Sequence, residues 1–280
     1  MLTQAQVAEK VREIVERGFC ILDRDTEATW EVAAGGQTGW VHTCHDAFMG
    51  VLRHFVAGTE PNRGPNRYYM NVPPAEPFLV PLEHPDILVV IEALLGEGFL
   101  LENLGSDTPL GVGATHQDYH RDTGNDPQGA EDIWSLIANV ALTDVTAADG
   151  PFEIVPGTAQ GEIPDCLPVW PEKPVPVLMK AGDVMIRDPR AVHRGSPSHS
   201  PSARPALAYI FVRAGRLNSW GLGRATPFSH DVVDRLSERG QRLLEGSPRV
   251  DRPTPYVGYN SGEESIFESA ARLSESAARL

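Results

Sequence analysis

The sequence predicts a mainly β domain, a barrel or jelly roll of short strands, with helices packed outside it at both ends. Three observations predict it. Short apolar runs alternate with turn signals between about residues 98 and 213, with no helix-length periodicity between them. Helical patterns stand before and after that stretch. Proline (24) and glycine (26) are plentiful and spread along the chain, which favours many short elements joined by turns over a helix bundle.

Each element has a local reason. Residues 3–17 read as a helix: Thr3 can cap it, Val7, Val11, Ile14 and Val15 form an apolar stripe, and Gly18 stops it. "FCILD" (19–23) follows as a short strand. Residues 24–66 are loop-like at "AAGGQTGW" and "GTEPNRGPN", with a helical "HDAFMGVLRHFVAG" between them. "RYYMNV" (67–72) suits a strand ended by Pro73-Pro74. "HPDILVVIEALLG" (84–96) is a second clear helix, with Pro85 in its first turn and Gly96 as its stop. The strand candidates then run through "GFLLENLGS", "WSLIANVALTDV", "GPFEIVPGT", "PVPVLMKAGDVMIRD" and "RPALAYIFVRAG". "SHDVVDRLSERGQRLLEG" returns to helix, capped by Ser229. "ESAARL" occurs at 268–273 and again at 275–280, too few heptads for a stable coiled coil. The expected organisation is one domain over 1–260 and a helical or flexible tail over 261–280.

Composition narrows the function. The formal net charge of -14 repels phosphate backbones and anionic lipid, which argues against nucleic acid and membrane surfaces as partners. Three scattered cysteines, Cys20, Cys44 and Cys166, with no CxxC, argue against a disulfide framework or a thiolate zinc site. The N-terminus lacks a signal-peptide pattern, and no apolar run approaches membrane-spanning length. The expectation is a cytoplasmic protein, a monomer or weak homo-oligomer, acting on a small molecule.

The chemistry concentrates in "HQDYHRD" (116–122), which holds two His-x-Asp pairs, His116/Asp118 and His120/Asp122. In an extended segment these four share one face, so a strand can offer a His and an Asp two residues apart to one metal. The i, i+4 histidines also echo the zinc-protease motif. Gln117 stands where that motif needs its general base, and the glycine-rich flanks oppose a helix. A His-x-Asp pair needs a distant third ligand, and His193, after a turn and an apolar strand, is the candidate. Two His and one carboxylate form the facial triad of non-haem iron(II) oxygenases, which leaves coordination sites open for a cosubstrate and O2. Arg204, eleven residues after His193 on the next strand, suits the distal carboxylate of 2-oxoglutarate through a bidentate pair. Spacing alone does not choose between the two His-x-Asp pairs.

Taken together, "HQDYHRDTG", "LTDVTAADGPFEIVPGT" (142–158), "GDVMIRDPRAVHRGSP" and "RPALAYIFVR" resemble the phytanoyl-CoA dioxygenase family of iron(II)/2-oxoglutarate oxygenases. The lead-in "VAEKVREIVERGFCIL" and "RYYMNVP" is similar as well. The resemblance implies a double-stranded β-helix (jelly roll, cupin-like) with helices outside. It implies a His-x-Asp pair and His193 as metal ligands and Arg204 as the 2-oxoglutarate anchor. It favours His120/Asp122 over His116/Asp118, because "HRDTG" resembles the version in which a Gln three residues earlier, here Gln117, helps hold the cosubstrate. It suggests Asn71 as a further cosubstrate contact. The implied activity is hydroxylation of an unactivated C–H, with succinate and CO2 released and Fe(II), 2-oxoglutarate and O2 consumed or bound; ascorbate can stimulate such enzymes. Related halogenases carry Gly or Ala in place of the carboxylate, so Asp122 argues against halogenation. The rival readings are a non-catalytic jelly-roll binding protein and a zinc-dependent hydrolase. Trp134 and Phe152 read as packing residues, and His42, His45, His54 and His199 as residues outside any metal site. Residues 24–75 and 123–133 read as lids.

Overall fold

The computed structural model describes residues 1–23, 30–31, 33–34, 36, 39–122, 132–160, 173–216 and 226–251, with the backbone of 166–167 and 257–258. The repeated tail over 261–280 and most of the expected lid at 123–133 lie outside the described residues.

Two antiparallel sheets make the core. The larger runs in the order β1 (Phe19–Leu22), β9 (Val184–Arg187), β5 (Ser135–Ala141), β11 (Ala206–Val212), β3 (Leu100–Pro109), β2 (Arg67–Asn71), β14 (Val257–Gly258). The smaller runs β7 (Cys166–Leu167), β4 (Tyr119–His120), β10 (His193–Gly195), β6 (Phe152–Ile154), β8 (Val175–Val177). Strands distant in sequence are neighbours in both sheets, and together the sheets form the double-stranded β-helix that the sequence predicts. A small parallel pair, β12 (Phe228–Ser229) with β13 (Arg249–Val250), lies apart from them.

The period-2 alternation of the large sheet separates two functions. Leu136, Ala138 and Val140 of β5, Val184 and Ile186 of β9, and Leu207, Tyr209 and Phe211 of β11 join the main apolar core with the helices. The alternate residues Ile137, Asn139, Met185, Arg187, Ala206, Ala208 and Ile210 line a cavity on the other face. Burial of one face fixes the register, because a one-residue slip would exchange the two sets.

Helix α1 (Gln4–Arg17) has the expected ends: Thr3 and Gln6 form a capping box, and Gly18 closes it at φ 88°. Any other residue there is strained, since a Cβ on Gly18 would lie 2.7 Å from the Cβ of Ala191. Helix α2 (Trp40–Ala57) begins five residues before the apolar pattern suggests, from a left-handed Gly39 with no side-chain cap. It buries Trp40, Cys44, Phe48, Leu52 and Phe55, and β2 lies between β3 and β14. Much of 24–75 is therefore scaffold rather than the expected lid. Helix α3 (Pro85–Leu95) has His84 as N-cap and Gly96 as its stop.

The expected single helix over 229–246 is instead two short ones, α4 (His230–Val233) and α5 (Glu238–Leu243). Ser237 explains the break. Its N–H and hydroxyl donate to Glu83, and its Oγ accepts from the Gly240 N–H, which starts a new helix. Ser229 makes no side-chain cap bond. Among the described residues no helix is long and apolar enough to cross a membrane.

Candidate active site

The pairing of β4 with β10 sets His120 directly opposite His193. The chain then leaves β4 and is held by the Asp122 N–H donating to Pro189 O, 2.9 Å. His120, Asp122 and His193 are thereby brought together, with one ligand atom of each lying within 4.8 Å of the others. His193 Nε2 is 3.2 Å from Asp122 Oδ2, and His120 Nε2 is 3.7 Å from Asp122 Oδ1. The imidazole centroids are 4.4 Å apart.

Both rings are set by the backbone. His193 Nδ1 lies 2.9 Å from Ala191 O, and His120 Nδ1 lies 2.8 Å from Asp118 O. A carbonyl only accepts, so each Nδ1 carries the proton and each Nε2 turns a lone pair toward Asp122. Protonation states follow the same design. Burial works to raise the Asp122 pKa, but interactions with His193 and with the Arg187 cation outweigh it and hold the carboxyl well below its ordinary range. Burial pushes the His193 imidazole down to about 4, against the pull of Asp122. At neutral pH the pair is thus a carboxylate and a neutral imidazole, the forms a divalent cation requires.

Several site residues were not legible in the sequence. Arg187, on the large sheet, reaches across to Asp122: its Nη2 lies 2.7 Å from Oδ2, while Nε donates to Asn139 Oδ1 at 3.2 Å. Its buried Nη1 has no hydrogen-bond partner. Phe152, expected only to pack, stacks on the His193 ring at 4.8 Å, with the Arg187 guanidinium 5.0 Å from its centroid. Its register explains this, because Phe152 pairs with Gly195 and Ile154 pairs with His193. No sequence period flags such contacts, because they depend on which strands pair and on how the two sheets face one another.

The cavity between the sheets has a volume of roughly 170 Å³ and is lined by His120, Asp122, His193, Arg204 and Gln117 together with Arg63, Arg67, Tyr69, Asn103 and Asp107. Arg204 is buried just before β11 rather than on it, anchored by its N–H to Pro109 O at 3.0 Å. Burial, then the charge of Arg67, lowers its pKa to about 10, leaving it cationic at neutral pH. Its Nε lacks a hydrogen-bond partner. Gln117 precedes β4 and ties it to β10: its Oε1 accepts from the Gly195 N–H at 2.8 Å, and its Nε2 donates to Arg63 O. Asn71 is not on the cavity wall. Its Oδ1 accepts from Asn103 Nδ2 at 3.0 Å, so it supports Asn103, which is. His116 and Asp118 are exposed and outside the three-residue cluster; Asp118 contributes its carbonyl to His120 instead. His199 is exposed, and Asp183 closes a turn by accepting from the Lys180 N–H.

Residues 89–206 match the phytanoyl-CoA dioxygenase (PhyH) family. Dioxygenase ALT11 of Alternaria alternata is 30% identical over 164 residues, covering 54% of this chain and 51% of its own length. Dioxygenase FrzG of a Cladobotryum species is 27% identical over 183 residues, 58% of each chain. The chain thus spans about half the length of the curated relatives it matches. Among solved structures, the epimerase SnoN in complex with Fe3+, alpha ketoglutarate and nogalamycin RO gives a TM-score of 0.55 at 19% identity, covering 76% of this chain and 85% of that one. HygX from Streptomyces hygroscopicus, with nickel, 2-oxoglutarate and hygromycin B bound, gives 0.55 at 14% identity, covering 76% and 88%. At such identities the likeness establishes a shared fold.

Proposed function

We propose that this chain, belonging through residues 89–206 to the phytanoyl-CoA dioxygenase family, is an iron(II)- and 2-oxoglutarate-dependent dioxygenase that hydroxylates a C–H bond of a small molecule. One observation carries the reading: two imidazole Nε2 atoms and one carboxylate converge on the wall of a cavity that also holds a buried, incompletely bonded arginine. Further support comes from the dioxygenase names of the relatives and from the metal and keto acid in the titles of structures with this fold.

The donor set suits the metal. Two neutral nitrogens and one carboxylate leave coordination sites open, as a catalytic rather than a structural centre requires. When bound, iron(II) and 2-oxoglutarate supply the activation of O2, with succinate and CO2 as the spent cosubstrate. The chain's own residues do the rest. Asp118 O and Ala191 O hold the imidazoles in the tautomer that leaves Nε2 free. Arg187 holds one oxygen of Asp122 and would leave the other for the metal. Arg204 meets the distal carboxylate of the keto acid. Phe152, Ile137, Met185 and Ile210 give the cavity an apolar lining.

The test is an anaerobic titration with iron(II) and 2-oxoglutarate. A weak visible charge-transfer band is expected, lost in His193→Ala, together with succinate release in air. Tightly held zinc with no response to 2-oxoglutarate would replace this reading with a hydrolase. Metal binding without any succinate would replace it with a binding protein.

A further inference from the structure

The structure assigns a second arginine, Arg67, to recognition of the keto acid's distal carboxylate, as a partner of Arg204; this rests on the oxygenase reading above. Both residues are fixed to the same point of the fold. Arg67 is the cross-strand partner of Pro109, and the Arg204 N–H donates to Pro109 O. Their side chains line the same cavity, and they are close enough for the charge of Arg67 to depress the Arg204 pKa. Each is at least nine-tenths buried, with Arg67 at 1% exposure and Arg204 at 6%.

Buried guanidinium groups are normally saturated with acceptors, because an unmet N–H donor loses its water without replacement. Neither of these is saturated. Arg67 donates from Nη2 to Ser196 O at 3.0 Å, and its Nη1 stands 3.6 Å from Asp107 Oδ1, beyond hydrogen-bond reach. Its Nε has no partner, nor does Nε of Arg204 or Oδ1 of Asp107. Asp149, the other carboxylate acting on Arg204, is already bonded to the N–H and hydroxyl of Thr146. Two buried guanidiniums therefore line the cavity with donors left over, and Asp107, a carboxylate beside Arg67, is ion-paired to it at 3.6 Å without a hydrogen bond. A carboxylate fits that deficit, since it offers four lone-pair directions to two planar forks.

The opposite sheet leaves room for this arrangement. A Cβ on Gly195 would lie 2.5 Å from Arg67 Nη1 and 2.6 Å from Cζ. Glycine at 195 is what allows the guanidinium to lie flat under β10, two residues beyond His193. Arg67 is a binding residue here: it holds the cosubstrate's far end together with Arg204.

The experiment compares two probes in the same protein. 2-Oxoglutarate and 2-oxopentanoate share the keto-acid end, and the second has a methyl group where the first has its distal carboxylate. Dissociation constants are measured calorimetrically with Mn(II) bound, in wild type, Arg67→Met and Arg67→Lys. Wild type is expected to prefer 2-oxoglutarate strongly. Arg67→Met should cut that preference at least about tenfold while leaving 2-oxopentanoate binding within about twofold, as loss of one charge-assisted pair implies. Arg67→Lys, which keeps the charge and most of the packed stem, should lose about threefold or more, because an ammonium lacks the fork. Equal weakening of both probes would show a purely structural arginine and overturn the assignment, as would an unchanged preference. Wild type that binds neither probe would remove the oxygenase reading itself. Wild type that binds both equally would leave that reading standing and remove the clamp.

Discussion

Replacing Arg187 by methionine tests whether the cation on the large sheet holds Asp122 in place. Arg187 is buried, and its Nη2 lies 2.7 Å from Asp122 Oδ2. Methionine keeps an aliphatic stem beside Phe152 and removes both charge and fork. In metal-free protein, breaking a fully buried ion pair from one side costs about 3–5 kcal/mol. The Asp122 side chain is 28% exposed, so water offsets part of that, and a loss of about 2 kcal/mol is expected. The metal-bound protein feels two opposed effects. Removing the outer partner of a ligating group typically costs about 10–100-fold in metal affinity. Removing a positive charge beside a dication works in the other direction, which points to the lower end, about tenfold or 1.4 kcal/mol. Denaturant unfolding of the metal-free protein gives the first number, and Mn(II) binding against a competing chelator gives the second. A variant that unfolds as wild type does and binds Mn(II) as tightly or tighter refutes the reasoning: the guanidinium would then only repel the metal, without orienting its ligand.

Other expectations follow from the same geometry. His120→Ala and Asp122→Asn should each abolish Mn(II) binding at micromolar metal, while His116→Ala should leave it within about twofold, since that ring is exposed and apart from the cluster; loss of binding in His116→Ala alone would reverse the choice of pair. Burial, opposed by Asp86, lowers the His84 pKa from 6.5 to about 4, so the unfolded chain takes up its proton first as pH falls. Stability should therefore drop between about pH 6.5 and 4, with His84 contributing up to about 3 kcal/mol. His84→Asn keeps a side-chain cap and should flatten that slope; His193 acts in the same direction in metal-free protein, so the difference between the two proteins is the quantity to read. Gly18→Ala should lower stability by about 1–3 kcal/mol, because φ is positive and Ala191 is too close, and differential scanning calorimetry would register it.

What could be read from the chain was local. The ends of α1 and α3 were legible because Thr3, Gly18, Pro85 and Gly96 act within one turn of themselves. The start of α2 was not, since Gly39 offers no side-chain cap and the first turn is held by Trp40, whose Nε1 donates to Pro77 O. The break between α4 and α5 depends on Glu83, distant in sequence, taking the Ser237 hydrogen bonds. The site divides the same way. His120, Asp122, His193 and Arg204 stand out by residue type and spacing, and the fold gathers them around one cavity. Arg187, Asn139 and Phe152 carry no such mark. Their contacts arise only when β9 and β5 are brought opposite the small sheet and β6 is paired beside β10, and a buried arginine on a strand looks like any other charge until its partner across the gap is known. Asn71 is the converse case: its residue type suited a contact, and the register placed Asn103 in front of it.

The first helix touches none of the ligand atoms, yet its end is built into the loop that delivers one of them. The Asp188 N–H donates to Gly18 O, the Gly157 N–H donates to Arg17 O, and β1 covers the edge of β9. Ala191, pressed against Gly18, is the residue whose carbonyl aims His193. Trimming away the first helix and β1 would thus strip a buttress: β9 would become a bare edge, and the segment leading to His193 would lose the backbone against which it is braced. Damage done at the amino terminus should be felt as a misdirected imidazole.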